Sequence, residues 1–579
     1  MRSAWMAITM IVFSYSRSLV RANAATLTAQ IRTKYGKAQG RVYDFGDNGK
    51  VGAFMGIPYA RAPSGEFRFQ KPRPPRSWRG TRRFTQFGPA CYFLAENRKP
   101  HMPPIRFDED CLSVNVFTPL DKDLKVKSKL PVMVYIHGGA YVMGSSATVG
   151  DEGIARILVT KNVIVITLNY RTGIFGFFTT GDANAPGNQA LWDMKQALEW
   201  VNENVEAFGG DVKNIMIFGQ SAGGSATHAL LMSPTTKGLF HKAAPMSGST
   251  GENGVTQPAL IRQQMLDLAK FYGFQPTNEN SASDTNKELL KFMQSLEPEK
   301  LAMGGALNVN ANYSGNGQFK MVPVYDNDFL PGTLEDLKQG IHDVPLLTGN
   351  TEFEALAFFG KGNVYETAIA MATYYTKGDS MLAKAAMDFF VDKSLPQDSE
   401  EFMKQCVLVV SDIIFNKDIY HLAMKSTEKK NPVFLYTFKY FRPTPATERY
   451  PFQGSMHCSD LQYLFGLDEN EVYEPTPDDH IISEQLSTYF VNFAKYSDPN
   501  GENQTEQWEP VAQNSSIPQY LSIDVNATRL QPNFMEGRME KWNEIDQQVN
   551  SARAFTKMST LLLSMYSFSG ATTTMRMLT

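Results

Sequence analysis

The sequence predicts an α/β fold, a large, mostly parallel central sheet flanked by helices in a single domain. Short apolar runs rich in β-branched residues alternate with segments whose apolar residues step by three or four, the pattern of a sheet covered by helices. No Gly/Ser- or Pro-rich linker divides the 579 residues. No period of roughly 20 to 50 residues repeats, which sets solenoids and propellers aside.

The elements follow in chain order. Residues 132–136 read as a buried strand, and residues 163–168, rich in Val and Ile, as a second. A helix is expected over 188–207, because Leu191, Met194, Leu198, Val201 and Val205 fall on one face; Gly209 and Gly210 end it. A third strand, 215–218, follows at once and leads into a run, 224–232, able to form a helix. Further strands are expected at 344–347 and 433–438. One domain over 27–548 accommodates all of these, with a tail at 549–579.

Composition and the chain ends bound the function. The 56 Lys and Arg against 59 Asp and Glu leave a net charge of −3, without the basic excess expected of a nucleic-acid binder. Residues 1–24 read as a signal peptide: Arg2, an apolar run from Ala4 to Phe13, and small residues at Ala22 and Ala24 at a cleavage spacing. Secretion is therefore expected, and sequons at Asn312, Asn503, Asn514 and Asn526 agree with it as glycosylation candidates. No run of 18 uninterrupted apolar residues occurs elsewhere, so no stable membrane span is expected.

Chemistry enters at Gly219-Gln220-Ser221-Ala222-Gly223. A Gly-x-Ser-x-Gly run between a buried strand and a helix is the context of a nucleophile elbow, in which small neighbours permit a strained turn that lifts the Ser hydroxyl above the sheet. Attack on an ester leaves a full negative charge on the carbonyl oxygen, so an elbow needs backbone donors nearby. His137-Gly138-Gly139-Ala140-Tyr141 directly follows the 132–136 strand and supplies small residues there. The N–H groups of Gly139, Ala140 and Ala222 are the candidate oxyanion hole.

By these motifs and four further stretches the sequence resembles the type-B carboxylesterase/cholinesterase family of α/β-hydrolases, most like its insect carboxylesterases. Residues 54–60 with Arg68-Phe69, and residues 109–116, look like the family's two N-terminal signatures, with Ser113 where Tyr or Thr is usual. Residues 186–193 resemble the segment leading into the elbow, and Asn492 to Lys495 with Asp498-Pro499-Asn500 a segment near the end of the catalytic domain. The resemblance implies a catalytic Ser–Glu–His triad in that chain order. It selects Glu354 over its neighbour Glu352 by the spacing from Gly349, although Ala355 replaces the Gly that usually follows. It selects His457 among eight histidines by the Gly454-x-x-His457-x-x-Asp460-Leu461 run. It also implies a disulfide between Cys91 and Cys111, leaving Cys406 and Cys458 without family partners.

The expected activity is that of a secreted serine carboxylesterase, working through an acyl-Ser221 intermediate with neither metal nor organic cofactor. Two departures from cholinesterases point to neutral apolar esters as the small-molecule partner. Gln220 stands where they carry Glu, and residues 92–110 contain no Trp to hold a quaternary ammonium by cation–π contact. Xenobiotic, juvenile-hormone or odorant esters are the candidates. The alternative is a catalytically silent cholinesterase-like adhesion or binding protein on the same fold, a class that commonly lacks a triad residue.

Overall fold

The computed structural model describes residues 26–93, 105–251, 254–278, 280–304, 321–376, 378–467, 474–502, 508–513, 515, 517–525 and 527–551. The expected signal peptide, the four sequon asparagines and residues 552–579 of the expected tail lie outside them.

In chain order the strands are β1 (Ile31–Arg32), β2 (Lys37–Gln39), β3 (Arg41–Asp44), β4 (Lys50–Pro58), β5 (Thr81–Arg83), β6 (Ser113–Leu120) and β7 (Leu130–Ile136). They continue with β8 (Ile164–Leu168), β9 (Gly210–Gln220), β10 (Lys242–Met246), β11 (Leu346–Thr351), β12 (Val433–Phe438), β13 (Tyr520–Ile523) and β14 (Arg529–Gln531). Strands β1, β2 and β5 make a small sheet beside an eleven-stranded one of order β3-β4-β6-β8-β7-β9-β10-β11-β12-β13-β14. From β8 to β13 every neighbour is parallel, while β3, β4, β6 and β14 run antiparallel at the two edges.

The period of two explains why the central strands are apolar throughout. Val132, Val134 and Ile136 of β7 and Ile215 and Ile217 of β9 enter one core. Met133 and Tyr135, with Met216 and Phe218, enter the other. The first core is shared with helix Gln189–Asn204 and helix Ala222–Met232, through Leu191, Leu198 and Leu230. The second is shared with helix Pro477–Tyr496, through Ile482, Leu486 and Phe490. Among the described residues no helix is long and apolar enough to cross a membrane.

Several boundaries differ from expectation, among them a strand at Leu130–Ile136 and a helix that begins at Ala222. The helix expected over 188–207 stops at Asn204, and a 3₁₀ turn, Val205–Phe208, leads to Gly209 at φ +89°. The strand expected at 215–218 extends to Gly210–Gln220. The strand expected at 344–347 begins at Leu346, since Pro345 has no N–H for the ladder, and runs to Thr351 in register with β12.

Cys91 and Cys111 are joined in a disulfide. Cys406 is a buried free thiol and Cys458 a half-exposed one. Ion pairs explain several residues of the sequence signatures. Arg68 meets Glu109 in two bonds of 2.7 and 2.6 Å, and Arg171 grips the fully buried Asp193 through Nε and Nη2, both at 2.7 Å. Removing either partner would strand a buried charge, so the first pair ties two loops together and the second ties the segment after β8 to helix Gln189–Asn204.

Candidate active site

Strand β9 ends at Gln220, and helix Ala222–Met232 begins two residues later. Ser221 bridges them at φ +59° and ψ −127°, a conformation that a non-glycine residue holds only when its surroundings impose it. The surroundings are backbone. A Cβ on Gly219 would sit 2.5 Å from Gly223 O, and one on Gly223 would collide with Ile136 O. The N–H of Ser221 donates to Met246 O at the end of β10, at 2.9 Å.

Glu354 opens a 3₁₀ turn, Glu354–Phe358, just past β11, and His457 lies on the loop beyond β12. The two loops are joined by main chain. Phe353 and Met456 form a parallel bridge, Phe353 N–H donates to Ser455 O at 2.8 Å, and His457 N–H to Glu354 O at 3.3 Å. That frame sets the side chains in line. Ser221 Oγ lies 2.7 Å from His457 Nε2, and His457 Nδ1 lies 2.6 Å from Glu354 Oε2. Glu354 Oε1 accepts the Thr351 N–H at 2.7 Å. A carboxylate can only accept, so Nδ1 carries the proton and Nε2 is free to accept from the Ser hydroxyl. Glu354 is fully buried and the His457 side chain 8% exposed. Glu352 is not part of this line; it pairs with Lys439 at 3.1 Å.

Burial works against a charged His457, but the Cys458 sulfur and the Glu354 carboxylate outweigh it and hold the imidazole well above its ordinary range. Gln220 packs against the same ring. Its Nε2 is 3.4 Å from His457 Nε2, and its Oε1 accepts from the Cys458 thiol at 3.3 Å. Asp460, three residues on, is fully buried, and neither of its oxygens has a partner with hydrogen-bond geometry. Burial and the nearby Glu354 raise its carboxyl to about 7.

The loop after β7 runs against the nucleophile. A Cβ on Gly138 would lie 2.6 Å from Gln220 O and 3.1 Å from Ser221 Cβ. Gly139, Ala140 and Tyr141 all have positive φ, at +106°, +52° and +63°. The turn is closed by Val142 and Met143, whose N–H groups both donate to Gly139 O, at 2.9 and 3.0 Å. The N–H groups of Gly139 and Ala140 have no acceptor among the described residues. That of Ala222 lies in the first turn of its helix, where the N–H groups have no intrahelical partner. His137 stacks on Tyr170 at 4.2 Å, and burial lowers its imidazole to about 4, so it is neutral beside these donors.

Apolar groups surround the line. Phe415 lies 4.5 Å and Phe358 5.9 Å from the His457 ring, and Val142, Met143 and Phe358 are exposed. A cavity of about 80 Å³ opens on the side of His457 and Cys458, lined also by Thr148, Tyr440, Tyr450 and Met456. Among the described residues no group of three His, Cys, Asp or Glu side chains is placed to hold a metal ion.

The structure places Ser221, His457 and Glu354 in one line, with the loop that carries Gly139 and Ala140 against Ser221 and Ala222 next to it in the chain; the sequon asparagines Asn312, Asn503, Asn514 and Asn526 lie outside the described residues. Sequence reasoning missed Gln220 as a neighbour of the imidazole, Phe415 against its face, and Ser411, whose Oγ accepts the Ala355 N–H at 2.9 Å. No local motif marks Ser411 or Phe415. Gln220 adjoins Ser221 in the motif, and its direction in space was the missing information.

Comparison with known proteins gives the same frame. A model of the carboxylesterase family matches residues 27–542. The chain is 32% identical to esterase cest-33 of Caenorhabditis elegans, over 89% of this chain and 94% of the relative. It is 30% identical to a cholinesterase of Mus musculus, over 88% and 86%. It is 29% identical to a medium-chain fatty acyl-CoA hydrolase precursor of Anas platyrhynchos, over 90% and 93%. A match of this extent, on an eleven-stranded sheet flanked by helices, makes the chain a member of the carboxylesterase family, an α/β-hydrolase that acts on carboxylic esters.

Proposed function

We propose that the protein is a secreted serine carboxylesterase that hydrolyses neutral apolar esters through an acyl-Ser221 intermediate. The observation that carries this reading is the unbroken line from Ser221 Oγ through His457 to Glu354, with bonds of 2.7 and 2.6 Å. His457 Nε2 takes the hydroxyl proton as Ser221 Oγ attacks the ester carbonyl. The imidazolium that forms is stabilised and kept in orientation by Glu354. The tetrahedral oxyanion is met by the N–H groups of Gly139, Ala140 and Ala222, where losing one donor typically costs roughly 3–4 kcal/mol. The alcohol leaves with the proton from His457, and water, activated by the same nitrogen, then releases the acid.

The surroundings support an uncharged substrate. Gln220 brings no negative charge to the imidazole side, and Val142, Met143, Phe358 and Phe415 supply apolar surface. Xenobiotic, juvenile-hormone or odorant esters fit that description. The Cys91–Cys111 disulfide agrees with an oxidising, extracellular setting.

The test compares wild type with Ser221→Ala on short p-nitrophenyl esters. Wild type should give a burst of p-nitrophenol and be inactivated by an organophosphate, and the variant should do neither. A wild-type protein with no burst and no inactivation would instead be a silent binding protein. A chain-length panel that includes juvenile hormone and volatile acetates then separates hormone turnover, odorant clearance and general detoxification.

A further inference from the structure

Helix Glu400–Ser411 continues through a π-helical turn, Asp412–Asn416, into helix Lys417–Thr427, and the N–H of Lys417 closes onto Asp412 O. A π turn carries one residue more than an α turn and recurs at functional sites. Residues 411–416 supply no reacting group to the hydrolysis, yet they reach the acid–base pair at three points. Ser411 Oγ holds the N–H of Ala355, the residue after the acid, at 2.9 Å. Asn416 Oδ1 accepts from Asn350 Nδ2 at 2.7 Å, and Asn350 precedes Thr351, whose N–H holds Glu354 Oε1. Phe415 lays its ring against His457.

The same turn is held from the other side. Asp412 is fully buried. Its Oδ2 accepts from Arg538 Nε and Nη2, at 2.8 and 2.6 Å, and from Trp542 Nε1 at 2.8 Å. Its Oδ1 accepts from Asn416 Nδ2 at 2.9 Å. Arg538 and Trp542 belong to helix 538–551, more than 80 residues beyond His457 in sequence.

The geometry points to Asp412 and Arg538 as positioning residues, a latch by which helix 538–551 fixes the π turn and, through Phe415, Asn416 and Ser411, the alignment of His457 and Glu354. The inference rests on the proposed triad mechanism. A buried carboxylate is tolerated only when its charge is fully met, so the turn has one satisfied arrangement with Arg538 present. Without Arg538 the carboxylate loses two of its four donors and must move to find others, and Asn416 and Phe415 move with it. A displacement of about 1 Å at reacting groups can cost on the order of 100-fold in rate.

Two variants test this on the full chain, with p-nitrophenyl butyrate as substrate. Arg538→Gln removes the charge, and Phe415→Leu keeps apolar bulk while removing the ring face. Both should lower kcat roughly 10- to 100-fold with little change in KM, and should shift the acid limb of the pH–rate profile. Arg538→Lys should recover part of the loss. Asp546→Asn breaks a second tether of the same helix, the 2.9 Å pair with Lys417, and should lower the melting temperature while leaving kcat unchanged. The latch is overturned if folded Arg538→Gln keeps the wild-type kcat and pH profile, or if Asp546→Asn loses rate as much. If Arg538→Gln does not fold, Phe415→Leu decides, and an unchanged kcat and profile overturn the latch. Ser221→Ala run alongside separates the two claims, since activity remaining there would remove the mechanism itself.

Discussion

Glu352 and Glu354 stand two residues apart and have different partners. Glu352 faces Lys439 near the surface, and Glu354 is sealed against His457 and the Thr351 N–H. Replacing Glu354 by Gln would put an amide N–H opposite Nδ1 and favour the wrong tautomer, so kcat should fall by as much as ~10⁴-fold. Glu352→Gln should stay within about two-fold of wild type, its pair being a partly exposed one; single-turnover kinetics on both variants check the contrast. The pH profile follows from His457. In the proposed mechanism the base must be neutral to take the Ser221 proton, and its neighbours hold it well above 6.5. The acid limb of kcat/KM should therefore lie above that value, with the rate rising tenfold per pH unit beneath it. Ser221 was legible from its strand–Gly-x-Ser-x-Gly–helix context, whereas Glu354 and His457 were singled out only by the family resemblance of the short runs that hold them. The roles of Gln220, Phe415 and Asp460 were not legible, because they depend on which side chains meet across more than 40 residues of intervening chain.

Among the elements, the strand–Ser–helix unit concentrates strain where the chemistry needs it. Ser221 at φ +59°, ψ −127° costs about 1–3 kcal/mol that glycine would not incur, so Ser221→Gly should abolish turnover and yet raise stability by about 1 kcal/mol. Urea unfolding compared with Ser221→Ala, which keeps the strain, measures this directly. The central strands were visible in sequence because burial on both faces leaves an unbroken apolar run, as in β7 and β12. The start of β11 was misplaced by two residues because Pro345 carries no donor, a property that matters only once the neighbouring strand is known. The π turn at Asp412–Asn416 was invisible, since one extra residue barely disturbs a helical spacing.

For the whole molecule, buried titratable groups set the pH range of stability. Burial lowers His137 to about 4 and His228 to about 3, so both stay neutral in the fold and would charge only on unfolding. Their contribution is present above the unfolded histidine value, near 6.5, and is lost as pH falls toward 4 and 3. Asp460, raised to about 7, acts in the opposite sense: its contribution is present below the unfolded carboxyl value and is lost as pH rises through 7. Asp460→Asn should therefore gain stability relative to wild type as pH rises from 5 to 7, by about 1.4 kcal/mol per pH unit. Denaturation midpoints measured across that range check the slope. Ser221 and His457 are separated by 457 − 221 = 236 residues, so the site exists only when strands β7, β9, β11 and β12 share one sheet. Chain length on its own would have allowed several modules. The acid and base loops, however, are stitched to each other by main chain, through the Phe353–Met456 bridge and the His457 N–H to Glu354 O bond. Shape at the active site is thus uncoupled from reactivity. A descendant that lost any one of the three side chains would inherit the cleft nearly unaltered, which gives evolution a route from ester hydrolysis to pure recognition in a single substitution.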